Sequence, residues 1–119
     1  MYFMMTENET PNLQEKMVQE LRRGVLALAV LSQLKTAQYG YSLISELSQK
    51  GLQIDQGTLY PLLRRLEADG LLESAWNTEG TRPRRYYVIS TLGSKLLELL
   101  TVEWRNLTQG IDQLLTESS

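Results

Sequence analysis

Hydrophobic residues recur at helical spacing in four segments of the chain. The first segment runs from Asn12 to about Lys35 and has apolar residues at intervals of three and four: Met17, Leu21, Val25, Leu28, Leu31 and Leu34. The second predicted helix is shorter, from Tyr41 to Gln49, and ends before Gly51. The last begins at Thr91, which we expect to be its N-cap, and reaches about Glu117.

The third helical segment begins near Asp55 and ends at Gly70, and one of its faces is formed by leucines. These leucines follow the spacing i, i+3, i+4 and i+7: Leu59, Leu62, Leu63 and Leu66. If Asp55 is the N-cap, Pro61 lies inside the helix, where it removes the hydrogen bond to the Gly57 carbonyl. If Thr58 is the N-cap, Pro61 falls in the first turn, where proline is tolerated. The pattern leaves both possibilities open.

The hydrophobic period changes after the third helix. Two short runs rich in aromatic and branched residues, 71–76 and 84–90, flank a loop at 77–83 that contains Gly80 and Pro83. This pattern predicts a β-hairpin with a loop longer than two residues. The fold class is therefore mainly α with a small β-hairpin, and the order of elements is typical of a winged helix-turn-helix followed by a long C-terminal helix.

Arginines are concentrated in the third helix and the hairpin. Opposite the leucine face, a helical projection places Gly57, Tyr60, Pro61, Arg64 and Ala68, with Thr58 and Arg65 at one margin. Five of the eight arginines lie between positions 64 and 85, because the hairpin adds Arg82, Arg84 and Arg85. Such a ridge can bind DNA phosphates and present arginine to guanine. The alternative is an ordinary solvated helix face whose arginines pair with nearby acidic residues.

The last helix carries a second apolar pattern, at gaps of three and four residues. Its members are Leu97, Leu100, Trp104, Leu107, Ile111 and Leu114. Packing on the same domain could cover Leu92 and Leu96, but the distal positions lie beyond its reach, so we expect a homodimer seam here. Trp104 is either a packing anchor of this seam or one wall of a site for a planar apolar effector.

Composition excludes several classes of function. The chain has 119 residues, no cysteine, no histidine and a formal charge of -2. It therefore lacks disulfides, thiolate or imidazole metal sites and imidazole-based catalysis, and we expect neither an enzyme nor a metal or cofactor. No apolar run approaches the roughly 20 residues that cross a bilayer, so a cytoplasmic protein without membrane contact is expected. The acidic isoelectric point, about 5.2, favours one alternative, a winged-helix protein-interaction module that does not read DNA.

Four stretches of sequence resemble the PadR family of transcriptional regulators. They are LRRGVLALAVLSQL (21–34), YGYSLISEL (39–47), GTLYPLLRRLEADGLL (57–72) and RPRRYYVISTLG (82–93). The resemblance implies a homodimeric transcriptional repressor that binds double-stranded DNA. From the pattern along the chain we expect a mobile tail at 1–11, a winged helix-turn-helix DNA-binding domain at 12–90 and a C-terminal dimerisation helix at 91–119. A single C-terminal helix makes the chain similar to the small branch of the family.

The resemblance also implies roles for individual residues. Thr58, Tyr60 and Arg64 would contact DNA from the recognition helix, and Arg84 and Arg85 would contact the backbone beside the wing. Residues 39–41 would be scaffold at the start of the second helix. In part of the small branch a tryptophan of the last helix lines a drug-binding interface, and Trp104 lies at a similar place. Some small PadR-like proteins are associated with circadian-clock gene regulation, which gives a further alternative.

Overall fold

A computed structural model describes residues 9–118, and side chains from 12 to 117. It contains four helices, α1 (Glu9–Gln33), α2 (Gly40–Gln49), α3 (Gln56–Ala68) and α4 (Thr91–Ser118), and three strands, β1 (Gln38–Tyr39), β2 (Leu72–Asn77) and β3 (Arg84–Ile89). The predicted mobile tail falls mostly on residues 1–8, which lie outside the described residues. Helix α1 begins at Glu9, three residues before the predicted start, and so includes the last residues assigned to that tail.

The sheet has one strand more than the predicted hairpin. The strand order is β1-β3-β2, and both pairs are antiparallel. Strand β1 is only two residues long, with Gln38 opposite Tyr87 and Tyr39 opposite Tyr86. We call the β2–β3 hairpin the wing. Strand β1 joins the wing to the start of α2, because it pairs with β3, the second strand of the hairpin.

The hydrophobic core lies between the carboxyl-terminal end of α1, helices α2 and α3, and the inner face of the sheet. Its most completely buried side chains are Val30, Leu31, Leu34, Leu43, Leu59 and Leu63. The predicted leucine face of α3 is confirmed, because all four of its leucines are buried. This packing holds α3 against the domain and leaves its opposite face exposed to solvent.

Asp55 is the N-cap of α3. Its side chain accepts a hydrogen bond from the Thr58 backbone N–H at 2.8 Å, so the alternative cap at Thr58 is wrong and Pro61 lies inside the helix. The predicted ends of α2 and α3 are confirmed, since Gly51 and Gly70 have positive φ of 90° and 81°. A backbone hydrogen bond from Leu71 N–H to the Leu66 carbonyl closes the last turn of α3.

Ser90, not Thr91, caps α4. The Ser90 hydroxyl accepts from the Gly93 N–H at 2.9 Å and donates to the Gly70 carbonyl at 2.6 Å. The Ser90 N–H donates to the Leu71 carbonyl at 3.0 Å. We call residues 70, 71, 90 and 93 the α3–α4 junction, because they connect the end of the third helix to the start of the fourth.

Candidate nucleic-acid interface

The exposed face of α3, which we call the recognition face, has mostly short side chains and carries one arginine at its centre. Gly57, Pro61, Arg64 and Ala68 are on this side of the helix, opposite the buried leucines, and all four are exposed. Arg64 has no ion-pair or hydrogen-bond partner among the described residues. A helix with short side chains around an unpaired guanidinium can approach the floor of the major groove closely.

Tyr60 lies at the margin of this face, over Gly40. A Cβ atom added at Gly40 would lie 2.6 Å from the Tyr60 ring, so the absence of a side chain there allows the ring to rest on the start of α2. The tyrosine is half-buried as a result. Tyr39 and Gly40 thus contribute to the scaffold that the resemblance implies, whereas Tyr41 is exposed.

Thr58 and Arg65 lie at the other margin of α3, towards α1. Both side chains are exposed, and the Thr58 N–H is already bonded to the Asp55 cap. Arg65 lies in the last turn of α3, where a positive charge is favourable to the helix dipole. These two residues therefore flank the recognition face instead of forming its centre.

Two arginines of the wing are exposed. Arg82 is in the loop between β2 and β3, which turns at Gly80 with a φ of 93°. Arg84 begins β3 on the outer face of the sheet, where its guanidinium lies 5.4 Å from the Tyr39 ring centroid. The Tyr39 hydroxyl accepts from the Asn77 side-chain amide at 2.8 Å, so the surface beneath Arg84 is held in place.

Arg85 lies on the opposite face of the wing and contacts the protein itself. It forms an ion pair with Glu67 of α3 at 2.9 Å and donates to the Ser74 hydroxyl at 3.0 Å. Its guanidinium is also 5.6 Å from the ring centroids of both Trp76 and Tyr87. Adjacent residues of a strand point to opposite faces, so Arg84 and Arg85 do not share one surface. Arg85 thereby joins the wing to α3 through its Nε and one terminal nitrogen. Its contact to the DNA backbone stays a prediction.

The same cluster surrounds the buried phenol of Tyr87. Burial raises the pKa of Tyr87 above its ordinary value, and the positive charge of Arg85 opposes this increase. The phenol therefore stays neutral at physiological pH. Arg85 holds the wing against α3 through Glu67, while Arg82 and Arg84 provide its exposed positive charge.

The predicted dimer seam divides into a buried part and an exposed part. Leu97 is only 8% exposed, because it packs in the hydrophobic core of the domain, and Leu100 packs against that core. The seam open to a second copy starts at Trp104, which is 40% exposed, and continues through Leu107, Ile111 and Leu114. Leu92, which packing on the same domain could have covered, is exposed. A planar-ligand site at Trp104 stays a prediction, because it requires two seams facing each other.

Helix α1 adds further exposed apolar residues. Leu13, Met17, Val18 and Leu21 lie in its amino-terminal half and are all exposed, whereas Val30 and Leu31 near its other end are fully buried. One end of α1 therefore belongs to the domain core and the other presents an apolar surface. Both α1 and the distal part of α4 therefore expose several large apolar side chains.

The described part of the chain contains neither a cluster of metal-binding side chains nor a helix that could span a membrane. No group of three or more acidic side chains in residues 9–118 is arranged to hold a metal ion. No helix in that range has both the length and the hydrophobicity to cross a bilayer.

The chain is similar to known regulators in sequence and structure. The family described as "Transcriptional regulator PadR-like family" matches residues 27–99. The transcriptional regulator Rv3488 of Mycobacterium tuberculosis is 38% identical over 81 residues, which cover 67% of this chain and 76% of that protein. The crystal structure of a PadR family transcriptional regulator from Eggerthella lenta superposes with a TM-score of 0.81 at 43% identity and covers 90% of this chain and 96% of that one. A PadR-like transcriptional regulator from Bacillus cereus gives a TM-score of 0.71 at 28% identity, covering 81% and 96%.

Proposed function

Because the chain belongs to the PadR-like family of transcriptional regulators, we propose that it is a homodimeric repressor that binds an operator through α3 and the wing. The observation that carries this proposal is that Arg64 of α3 and both Arg82 and Arg84 of the wing are exposed to solvent. The recognition face of α3 enters the major groove, and Arg64 hydrogen-bonds to a base edge there. Arg82 and Arg84 bind phosphates and set the position of the protein on the duplex.

The dimer part of the proposal rests on the apolar surfaces of α1 and α4. Trp104, Leu107, Ile111 and Leu114 form an exposed stripe on a helix of 28 residues. A two-fold axis along this stripe would bury it against its own copy and, with it, the exposed half of α1. Such a dimer presents two α3 helices to one face of the duplex. Half-sites about 34 Å apart, one turn of B-DNA, would then fit both.

We expect the purified protein to select a single, roughly palindromic site from genomic fragments at about 150 mM salt. Gel-shift titrations on that site should show a strong dependence on salt, because the arginines displace counterions from the phosphates. For about 6 to 10 phosphate contacts per dimer, affinity should fall by about 10³- to 10⁵-fold between 50 and 200 mM salt. Retention of a protein partner without any enrichment of DNA would instead support an interaction module and contradict the repressor.

Replacing Gly40 by alanine should weaken operator binding while the domain stays folded. The new methyl group would lie 2.6 Å from the Tyr60 ring, and this side chain can rotate away into solvent. Tyr60 would then project from the edge of α3 and hold the helix away from the groove. We expect a loss of about tenfold, or about 1.4 kcal/mol of binding free energy.

The control for this prediction is the double variant Gly40→Ala with Tyr60→Ala. Removing the displaced ring should restore part of the affinity that the single Gly40 variant loses. Gel shifts at one salt concentration measure both, and circular dichroism checks the fold. Unchanged affinity in Gly40→Ala would show that the position of Tyr60 has no part in recognition.

A further inference from the structure

A cleft of about 760 Å³ lies between the middle of α1 and the side of α3 that runs from Thr58 to Arg65. Its apolar floor includes Leu26, Ile54 and Leu62. Three arginines line it, Arg22 and Arg23 from α1 and Arg65 from α3. The cleft lies beside the exposed face of α3 that carries Arg64, and the arginines of α1 have no part in the function proposed above.

The charges in the cleft leave it positive. Its one carboxylate, Asp55, uses an oxygen to cap α3. Arg22 donates to the Gln53 backbone carbonyl, which places its guanidinium beside the start of α3. Arg23 contacts Glu20 at 3.7 Å in an exposed pair that solvent screens. Arg65 has no ion pair among the described residues. The occupant that complements this lining carries negative charge.

The position of the cleft beside α3 indicates which anion occupies it. Thr58 and Pro61 border it from α3, and Pro61 also belongs to the exposed recognition face. A helix with its side chains is about 10–12 Å wide, and the major groove is about 12 Å wide. When α3 lies in the groove, the phosphates at the groove's edge must therefore pass along the flanks of the helix. One flank is this cleft.

We propose that the cleft binds the phosphate backbone of the DNA strand next to α3, through Arg22 and Arg65 with Arg23 at its rim. This inference rests on the proposed DNA-binding function and adds α1 to the contact surface. Because α1 also carries the exposed apolar residues Met17 and Leu21, one helix then contacts both the second protomer and the duplex. Contacts to phosphate carry no sequence information directly, so they add affinity on any DNA.

The test is the salt dependence of DNA binding by Arg22→Gln, Arg65→Gln and the double variant. Removing one phosphate interaction changes the slope of log K against log salt by about 0.9, which is about 1.8 for the two protomers of a dimer. We expect each single variant to make the slope less steep by about that amount and the double variant by about twice as much. Affinity for operator and for random DNA should fall by the same factor.

Arg105→Gln is the matched control, because Arg105 is an exposed arginine of α4 outside the cleft. It should leave the slope unchanged, and thermal unfolding should confirm that all variants fold. Ethylation of operator phosphates should also interfere with the wild-type protein at positions where it no longer affects the double variant. If wild type binds the operator and the cleft variants keep both its slope and its ethylation pattern, the cleft proposal is wrong. If wild type binds no DNA, the proposed function itself fails.

Discussion

Introducing glutamate at both Leu107 and Ile111 should convert the proposed dimer to monomers and lower its operator affinity at least about 100-fold. These side chains are 61% and 52% exposed in the protomer, so the change leaves the domain core intact. Two charges in each copy of an apolar seam repel each other and would lose their hydration on association. A monomer binds one half-site and loses the effective concentration that links the second, which amounts to about 10²–10⁴-fold.

Sedimentation velocity gives the oligomeric state, and gel shifts give the affinity for full operators and half-sites. The control variant is Asn106→Glu with Gln113→Glu, which adds the same charge to α4 on the side away from the seam. It should remain dimeric and bind normally. If the Leu107 and Ile111 variant stays dimeric, the interface lies elsewhere. If it is monomeric and still binds the full operator with wild-type affinity, the two half-sites are not bound cooperatively by one dimer.

Replacing Gly93 by alanine should cost about 3 kcal/mol of unfolding free energy. An added Cβ atom would lie 2.1 Å from the Leu71 carbonyl oxygen and 2.7 Å from a side-chain carbon of Ile89. The first of these atoms is backbone and takes part in the α3–α4 junction, so the junction must open to accommodate the methyl group. Overpacking of this kind typically costs about 1–3 kcal/mol, and a clash with fixed backbone belongs at the upper end.

Gly110→Ala is the matched control in the same helix. Nothing lies within 4 Å of a Cβ atom at this position, so alanine should stabilise α4 by up to about 1 kcal/mol through helix propensity. Urea unfolding at one fixed protein concentration compares the variants, since the stability of the proposed dimer would depend on concentration. Equal stability of Gly93→Ala and wild type would mean that the close contact at the junction is relieved at no cost.

The four helices and the hairpin could be predicted because each is long enough to show its period. Leucine at every turn identified α3, and the positions of Gly51 and Gly70 identified two helix ends. Strand β1 could not be found in this way, since two residues show no alternation and its pairing depends on β3. Ser90 and Thr91 are both plausible caps in sequence. The structure distinguishes them by the second hydrogen bond of Ser90, to the Gly70 carbonyl.

The candidate site could be predicted only in part. Arg64, Arg82 and Arg84 are exposed as expected from their local context. Arg85 pairs with a residue 18 positions away, and only the alternation of side chains along a strand could have separated it from Arg84. Leu97 follows the seam pattern just as its neighbours do, yet the domain covers it. Arg22 could not be predicted as a lining residue of the cleft, because the cleft exists only where α1 and α3 come together.

The α3–α4 junction connects the helix proposed to read DNA to the helix proposed to join the protomers. Helix α4 has 28 residues and is therefore about 42 Å long, so it acts as a lever arm. A change of about 5° in its direction at the junction would move its far end by about 4 Å, more than the rise of one base pair. The hydrogen bonds of Ser90 and the close approach at Gly93 therefore restrict the direction in which α4 leaves the junction. Family members that differ at these two positions should prefer operators whose half-sites are spaced differently.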